Sequence, residues 1–170
     1  MTIEYHDHPH GREVLLDVFK AGGFTQGVEV GTSLGLFAMQ LHTELPGLRL
    51  TCIDPYVEQD DLYEQARKNL VPMGIVLIRK RSAEVVGSVP DRSLDFVYLD
   101  GDHRREAVEA DLATWTPKVR VGGILSGDDF FRHRGVSHAV RAYVDAHPTM
   151  GPCQAIGHGT RGIFYWTVAP

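Results

Sequence analysis

The sequence predicts an α/β fold: a doubly wound, mostly parallel sheet of seven strands with helices on both faces. Three observations predict it. Short apolar runs alternate with amphipathic segments at helical spacing. Five strand–helix pairs follow one another, which requires right-handed crossovers and therefore a parallel sheet. The last two apolar runs, Cys153–Ile156 and Ile163–Val168, are joined only by Gly157–Gly162, too short for a crossover helix, so that pair is antiparallel.

The elements follow in order. Arg12–Lys20 carries Val14, Leu15, Val18 and Phe19 at helical spacing, and Gly22-Gly23 ends it. Gly27–Val30 is a short strand. Ser33–Thr43 reads as a helix with Leu34, Phe37, Ala38 and Leu41 on one face, and Pro46-Gly47 is a turn. Leu48–Ile53 is a strand, Asp60–Leu70 a polar amphipathic helix, Ile75–Ile78 a strand and Ser82–Val86 a short helix capped by Ser82. Leu94–Leu99 is a strand and Glu106–Trp115 a helix. Gly122-Gly123 breaks the chain before the strand Ile124–Ser126, and the last helix runs from Val136 to Ala146, near Pro148. No repeat or linker interrupts this pattern, so residues 1–170 are read as one domain, long enough for a full core.

Composition narrows the function classes. Hydrophobic content of 43%, charged content of 23% and a net charge of −5 are ordinary for a globular protein. No long basic stripe provides a nucleic-acid footprint, and Arg79-Lys80-Arg81 reads as a solvated strand end. No apolar run approaches the ~20 residues that span a bilayer, and the polar start, Met1-Thr2-Ile3-Glu4-Tyr5-His6, is unlike a signal peptide. Cys52 and Cys153 do not make a disulfide framework, which points to a reducing, cytoplasmic setting. His6, His8 and His10 are assigned to a mobile N-terminus rather than to a metal tract. Trp115 and Trp166 are assigned to the core or its rim.

Chemistry concentrates at strand ends. Val28-Glu29-Val30-Gly31-Thr32-Ser33-Leu34-Gly35 joins the first strand to its helix, and its glycines admit close backbone approach. The spacing is not Gly-x-Gly-x-x-Gly, and Glu29 makes the loop ill suited to a dianion; a zwitterionic or cationic ligand suits it better. Asp54, 23 residues beyond Gly31, ends the second strand where a carboxylate accepts ribose hydroxyls. Two further acidic strand ends, Asp100-Gly101-Asp102-His103 and Asp128-Asp129, would lie ~4.8 Å apart on neighbouring strands. Carboxylates that close repel unless a proton or cation sits among them, so a hard divalent metal is the first expectation.

These segments, in order, resemble the class I S-adenosylmethionine-dependent methyltransferases. The match rests on Glu29-Val-Gly-Thr-Ser-Leu-Gly35, Cys52-Ile-Asp-Pro-Tyr56, Arg81-Ser-Ala-Glu84, Asp95-Phe-Val-Tyr-Leu-Asp-Gly-Asp-His103 and Gly122-Gly-Ile-Leu-Ser-Gly-Asp-Asp129. The Glu-x-Gly-x-x-x-Gly loop and the Asp-Gly-Asp-His motif look most like the small metal-dependent O-methyltransferases of the catechol and macrolide-sugar type. The resemblance implies a Rossmann-like sheet of order 3-2-1-4-5-7-6 with strand 7 antiparallel. It implies that Glu29, Gly31, Ser33 and Gly35 hold the methionine part of the cofactor, that Asp54 binds the ribose, that Tyr56 flanks the adenine and that Ser82 and Ala83 meet its edge. It implies Mg²⁺ or Mn²⁺ at Asp100, Asp128 and Asp129, with Asp100 touching the cofactor instead in metal-free relatives. Asp102 stands where sugar-modifying relatives place a general base. His103 competes for that role, because neighbouring carboxylates raise an imidazole pKa.

The expected activity is methyl transfer to a hydroxyl of a small-molecule acceptor. The alternatives are a metal-independent methyltransferase, an NAD-dependent oxidoreductase and a non-catalytic nucleoside-binding protein. Phe130 and Phe131 are candidates for the acceptor pocket, and His133 stands close enough in sequence to reach it, while His138 flanks the same helix. Little sequence precedes the first strand and no inserted lid is evident. The pocket is therefore open, completed by a second subunit of a homodimer, or shaped by the first dozen residues.

Overall fold

The computed structural model describes residues 2–170. Its elements run β1 (Ile3–Asp7), α1 (Gly11–Ala21), β2 (Gln26–Val30), α2 (Leu36–Glu44), β3 (Arg49–Ile53), α3 (Asp60–Leu70), β4 (Val76–Ile78), α4 (Ser82–Val85), β5 (Leu94–Leu99), α5 (Arg105–Trp115), β6 (Val119–Gly127), α6 (Arg134–Ala146), β7 (Cys153–His158) and β8 (Arg161–Thr167). They form one sheet of order β1-β7-β8-β6-β5-β2-β3-β4. β8 is antiparallel to both β6 and β7, and the other pairs are parallel. Read from the β4 edge, the first seven strands have the expected order 3-2-1-4-5-7-6.

The eighth strand departs from the expectation. Residues assigned to a mobile terminus form β1, which pairs in parallel with β7 from Ile3↔Cys153 to Asp7↔Gly157. Nearly all of β1 is exposed, so it carries no apolar run. It is held by the backbone ladder and by polar side chains: His6 Nε2 lies 2.6 Å from Gln154 Oε1, and His158 Nδ1 2.7 Å from Asp7 Oδ1. The N-terminal histidines are thus spent on sheet and loop contacts.

Two smaller differences have local causes. α2 starts at Leu36 rather than Ser33, because Ser33 and Gly35 adopt φ of 49° and 76°, outside the helical region. β6 runs through Gly122-Gly123 instead of starting after them: Gly122 (φ 78°) lies in an irregular stretch where the register against β5 shifts.

Strand alternation divides the core into two layers. Phe96 and Tyr98 of β5 face α1, α2 and α3, packing with Leu15, Phe19, Phe37 and Leu41. Val97 and Leu99 face α5 and α6, packing with Leu112, Trp115, Val136 and Val140. Phe96 is fully buried and stacks on Phe19 at a centroid distance of 4.2 Å. Replacing Phe96 by Ala is expected to cost about 3–5 kcal/mol, read as a lower denaturant midpoint in equilibrium unfolding.

Candidate active site

β2, β5 and β6 are adjacent and end in register, with Val30 opposite Leu99 and Leu99 opposite Gly127. The loops that follow them therefore emerge side by side at one sheet edge, where parallel α/β sheets bind ligands. Backbone bonds pin the loops together: Gly31 N donates to Ile53 O (2.8 Å), Asp100 N to Val30 O (2.7 Å) and Asp128 N to Leu99 O (3.0 Å). Gly31 has φ 87°, and a Cβ there would stand 2.1 Å from the Asp100 carbonyl oxygen. Only glycine fits this crossing.

Of the cavities on this edge, two are roomy. The larger, about 770 Å³, is lined by Arg12, Asp128, Asp129, Arg132 and Arg161 among others. The smaller, about 370 Å³, is lined by Glu29, Gly31, Thr32, Ser33, Phe37 and His103. Arg12 and Asp100 line both, so the cavities share one wall.

The smaller cavity is built around a buried acid. Glu29 is 2% exposed and its Oε2 has no hydrogen-bond partner; Thr32 Oγ1 is likewise buried and unpaired. Burial raises the Glu29 pKa to about 8. A buried carboxyl with a free oxygen is matched by a cationic ligand group.

The wall is an ion-pair cluster. Arg12, at the start of α1, donates from Nε to Asp128 Oδ2 (2.8 Å) and from Nη2 to Asp100 Oδ2 (2.9 Å) and to Asp128. Its guanidinium lies over Phe37 (5.0 Å) and Tyr98 (5.8 Å). Burial raises the Asp100 pKa, with Asp128 adding to that effect and His103 and Arg12 opposing it. Asp129 (φ 59°) turns the other way: its Oδ2 lies 2.8 Å from His103 Nε2 and 3.6 Å from His133 Nε2. The two imidazoles stack at 4.3 Å. Asp100, with Asp129 and Asp102 in support, raises the His103 pKa above its usual value against the effect of burial.

The expected site residues are therefore sorted by the fold. Glu29, Gly31, Ser33 and Asp100 surround the smaller cavity together with His103. Gly35 begins α2, where a Cβ would meet Leu70 at 2.7 Å. Asp54 accepts bonds from Thr32 N and Ser33 N, both 3.0 Å, and from Tyr56 N, 2.9 Å, and so shapes the glycine loop. Tyr56 is fully buried and donates its hydroxyl to Ser33 O (2.7 Å). It braces the loop from beneath and is not free to flank a base. Ser82 is taken up by Asp111 and by the indole N–H of Trp115 (2.8 Å), and neither it nor Ala83 lines either cavity. Asp102 accepts from the Arg104 backbone N (2.9 Å) and the Arg104 guanidinium, which lowers its pKa; it borders neither of the two roomy cavities, only a narrow cleft it shares with Asp100, His103 and Asp128. Of the two expected bases, His103 is the one the fold brings to the site.

The expected metal ligands do not converge on one point. Asp100 and Asp128 face Arg12 through their Oδ2 atoms, while Asp129 faces His103, whose Nε2 also stands 3.7 Å from Asp100 Oδ1. Among the described residues, the three-member group whose ligand atoms lie within 4.8 Å of one another is His103, Asp129 and His133. Mg²⁺ or Mn²⁺ at the three acids would have to displace the guanidinium, so these side chains do not fit such an ion in this arrangement. The residue that sequence reasoning missed is Arg12. It opens an amphipathic helix like any surface arginine, and nothing local relates it to Asp100, 88 positions away.

Parallel strand ends, a left-handed glycine loop and two cavities sharing one wall define a ligand site at the sheet edge of an α/β protein. Residues 28–130 match the model of a family described as a methyltransferase domain, and the chain belongs to that family. The fold resembles an O-methyltransferase from Bacillus cereus in complex with SAH (TM-score 0.72, 17% identity, covering 94% of this chain and 81% of that one). It also resembles the O-methyltransferase TomG from Streptomyces achromogenes, involved in tomaymycin synthesis, in complex with SAM (TM-score 0.69, 16% identity, 94% and 79%). No curated protein matches the chain in sequence. Among the described residues, no helix is long and apolar enough to cross a membrane.

Proposed function

We propose that the protein is an S-adenosylmethionine-dependent O-methyltransferase acting on a small hydroxylated molecule. The observation that carries this reading is the shared wall: a cavity with a buried carboxyl adjoins a roomier polar cavity, and one cluster of charged residues faces both. The complexes of the similar O-methyltransferases with SAM and SAH support it. Two buried, free cysteines suit a reducing, cytoplasmic setting.

The cofactor fits the smaller cavity by charge. Its ammonium and sulfonium groups are cationic, and Glu29 Oε2 and Thr32 Oγ1 are buried acceptors without partners. When bound, it supplies an electrophilic methyl group. Glu29 gives up its proton to meet the cation. The acceptor hydroxyl, held in the larger cavity, is aligned with that methyl by the common wall. The cofactor would give its methyl to that oxygen and leave as a neutral thioether, and the Asp129–His103 pair takes the hydroxyl proton and passes it to solvent.

Calorimetry with S-adenosylmethionine tests the reading. Binding is expected to release about one proton near pH 7, because the cation favours ionised Glu29. The sign follows: affinity rises with pH until about 8 and then levels off. Glu29→Gln abolishes this dependence and weakens binding roughly 10- to 100-fold, the loss of a charge-assisted bond. Binding of NAD in place of S-adenosylmethionine would sink the proposal.

A further inference from the structure

The Arg12 guanidinium is seated as a fixed part of the site. Two carboxylates from neighbouring strand ends hold its Nε and Nη2, and two aromatic rings lie beneath it. Among the described residues, Nη1 donates to no protein group. The side chain is 41% exposed and borders both cavities. Arginine keeps its charge at every working pH, and its planar fork leaves spare donors when one edge is occupied.

Asp100 and Asp128 are two of the crowded strand-end acids that need a cation among them. The chain meets that demand internally. A guanidinium stabilises charge building on an acceptor oxygen by donating N–H bonds, and it needs no dehydration of an ion.

We propose that Arg12 is the resident cation of this site, standing where a divalent metal would stand and offering its Nη1 donors to the acceptor oxygen, so that methyl transfer runs without metal. This rests on the methyltransferase reading above. It places the acceptor hydroxyl at the Arg12 face of the larger cavity, which Asp129 also lines.

Mn²⁺ binding, followed by electron paramagnetic resonance of the free ion, tests it on the full chain. The wild type is expected to bind no Mn²⁺ at submillimolar concentration, with or without S-adenosylmethionine. Arg12→Ala uncovers Asp100 and Asp128 and is expected to tighten Mn²⁺ binding by about tenfold or more. Arg12→Lys retains the charge and keeps Mn²⁺ out. Submillimolar Mn²⁺ binding to the wild type, lost in Asp128→Asn, overturns the proposal. So does an Arg12→Ala variant that is folded by circular dichroism yet gains no affinity. If Arg12→Ala does not fold, the wild-type titration decides. Calorimetry with S-adenosylmethionine on the same wild-type sample separates the two readings: cofactor binding together with Mn²⁺ uptake rejects only the role of Arg12, while absent cofactor binding rejects the methyltransferase assignment.

Discussion

Replacing His103 by Ala is expected to slow methyl transfer by about 10²–10⁴-fold, the usual contribution of a positioned general base. The imidazole accepts the proton only when neutral. Asp100 and Asp129 favour its protonated form and raise its pKa, so the acid limb of the rate–pH profile should lie above the usual histidine value. Asp129→Asn removes the carboxylate 2.8 Å from Nε2 and should move that limb to lower pH while slowing transfer less than the loss of His103. The same shift affects stability with a definite sign. Folded His103 binds its proton more tightly than the unfolded chain does, so its contribution is full below the ordinary histidine pKa and disappears as pH rises through the folded value. Single-turnover rates across pH, compared with thermal melts of the same variants, separate the two effects. A His103→Ala enzyme with an unchanged rate would remove His103 from the mechanism.

The second large effect is expected at Gly31. Ala there must adopt φ 87° and place its Cβ 2.1 Å from the Asp100 carbonyl oxygen, on a residue whose own N–H is bonded to Val30 O. Conformational strain and displacement of the β5 end together should cost about 2–4 kcal/mol, or roughly 5–15 °C in Tm for a chain of this size. Cofactor binding should be lost as well, since the displaced loop carries Thr32 and Ser33. Gly47→Ala is the control: its φ is 84°, but nothing lies within 4 Å of the added Cβ. It should show the conformational strain alone, about 1–2 kcal/mol. Equal melting temperatures for the two variants would reject the clash at Asp100.

What was legible in the sequence was local in origin. Periodicity located the five strand–helix units, and the short Gly157–Gly162 connection gave the antiparallel hairpin, because both follow from neighbouring residues. The glycine loop was legible for the same reason: Glu29, Gly31 and Ser33 sit within one turn and do border one cavity. β1 was not, since an exposed edge strand has no buried face to impose alternation. The roles of the acids were legible only in part. A strand end fixes where Asp100, Asp102, Asp128 and Asp129 begin, but their side chains are aimed by partners elsewhere. Arg104 takes Asp102, His103 takes Asp129, and Arg12 takes the remaining two. Tyr56 illustrates the same limit: it follows Asp54 closely in sequence, but its hydroxyl bond to Ser33 O holds the ring buried beneath the loop.

The pairing of β1 with β7 fixes when the site can exist. Ile3 meets Cys153 across nearly the whole chain, and Arg12 follows β1 by five residues, on the helix that packs against β8. During synthesis the early strand–helix units can collapse as they emerge, but the first strand has no partner until the final hairpin is made. The long loop it closes is the slow, non-local kind of contact. A chain lacking the hairpin would have its glycine loop in place but would lack the β8 surface on which the Arg12 helix packs. Competence for chemistry should therefore wait for the β7–β8 hairpin, where β1 gains its partner.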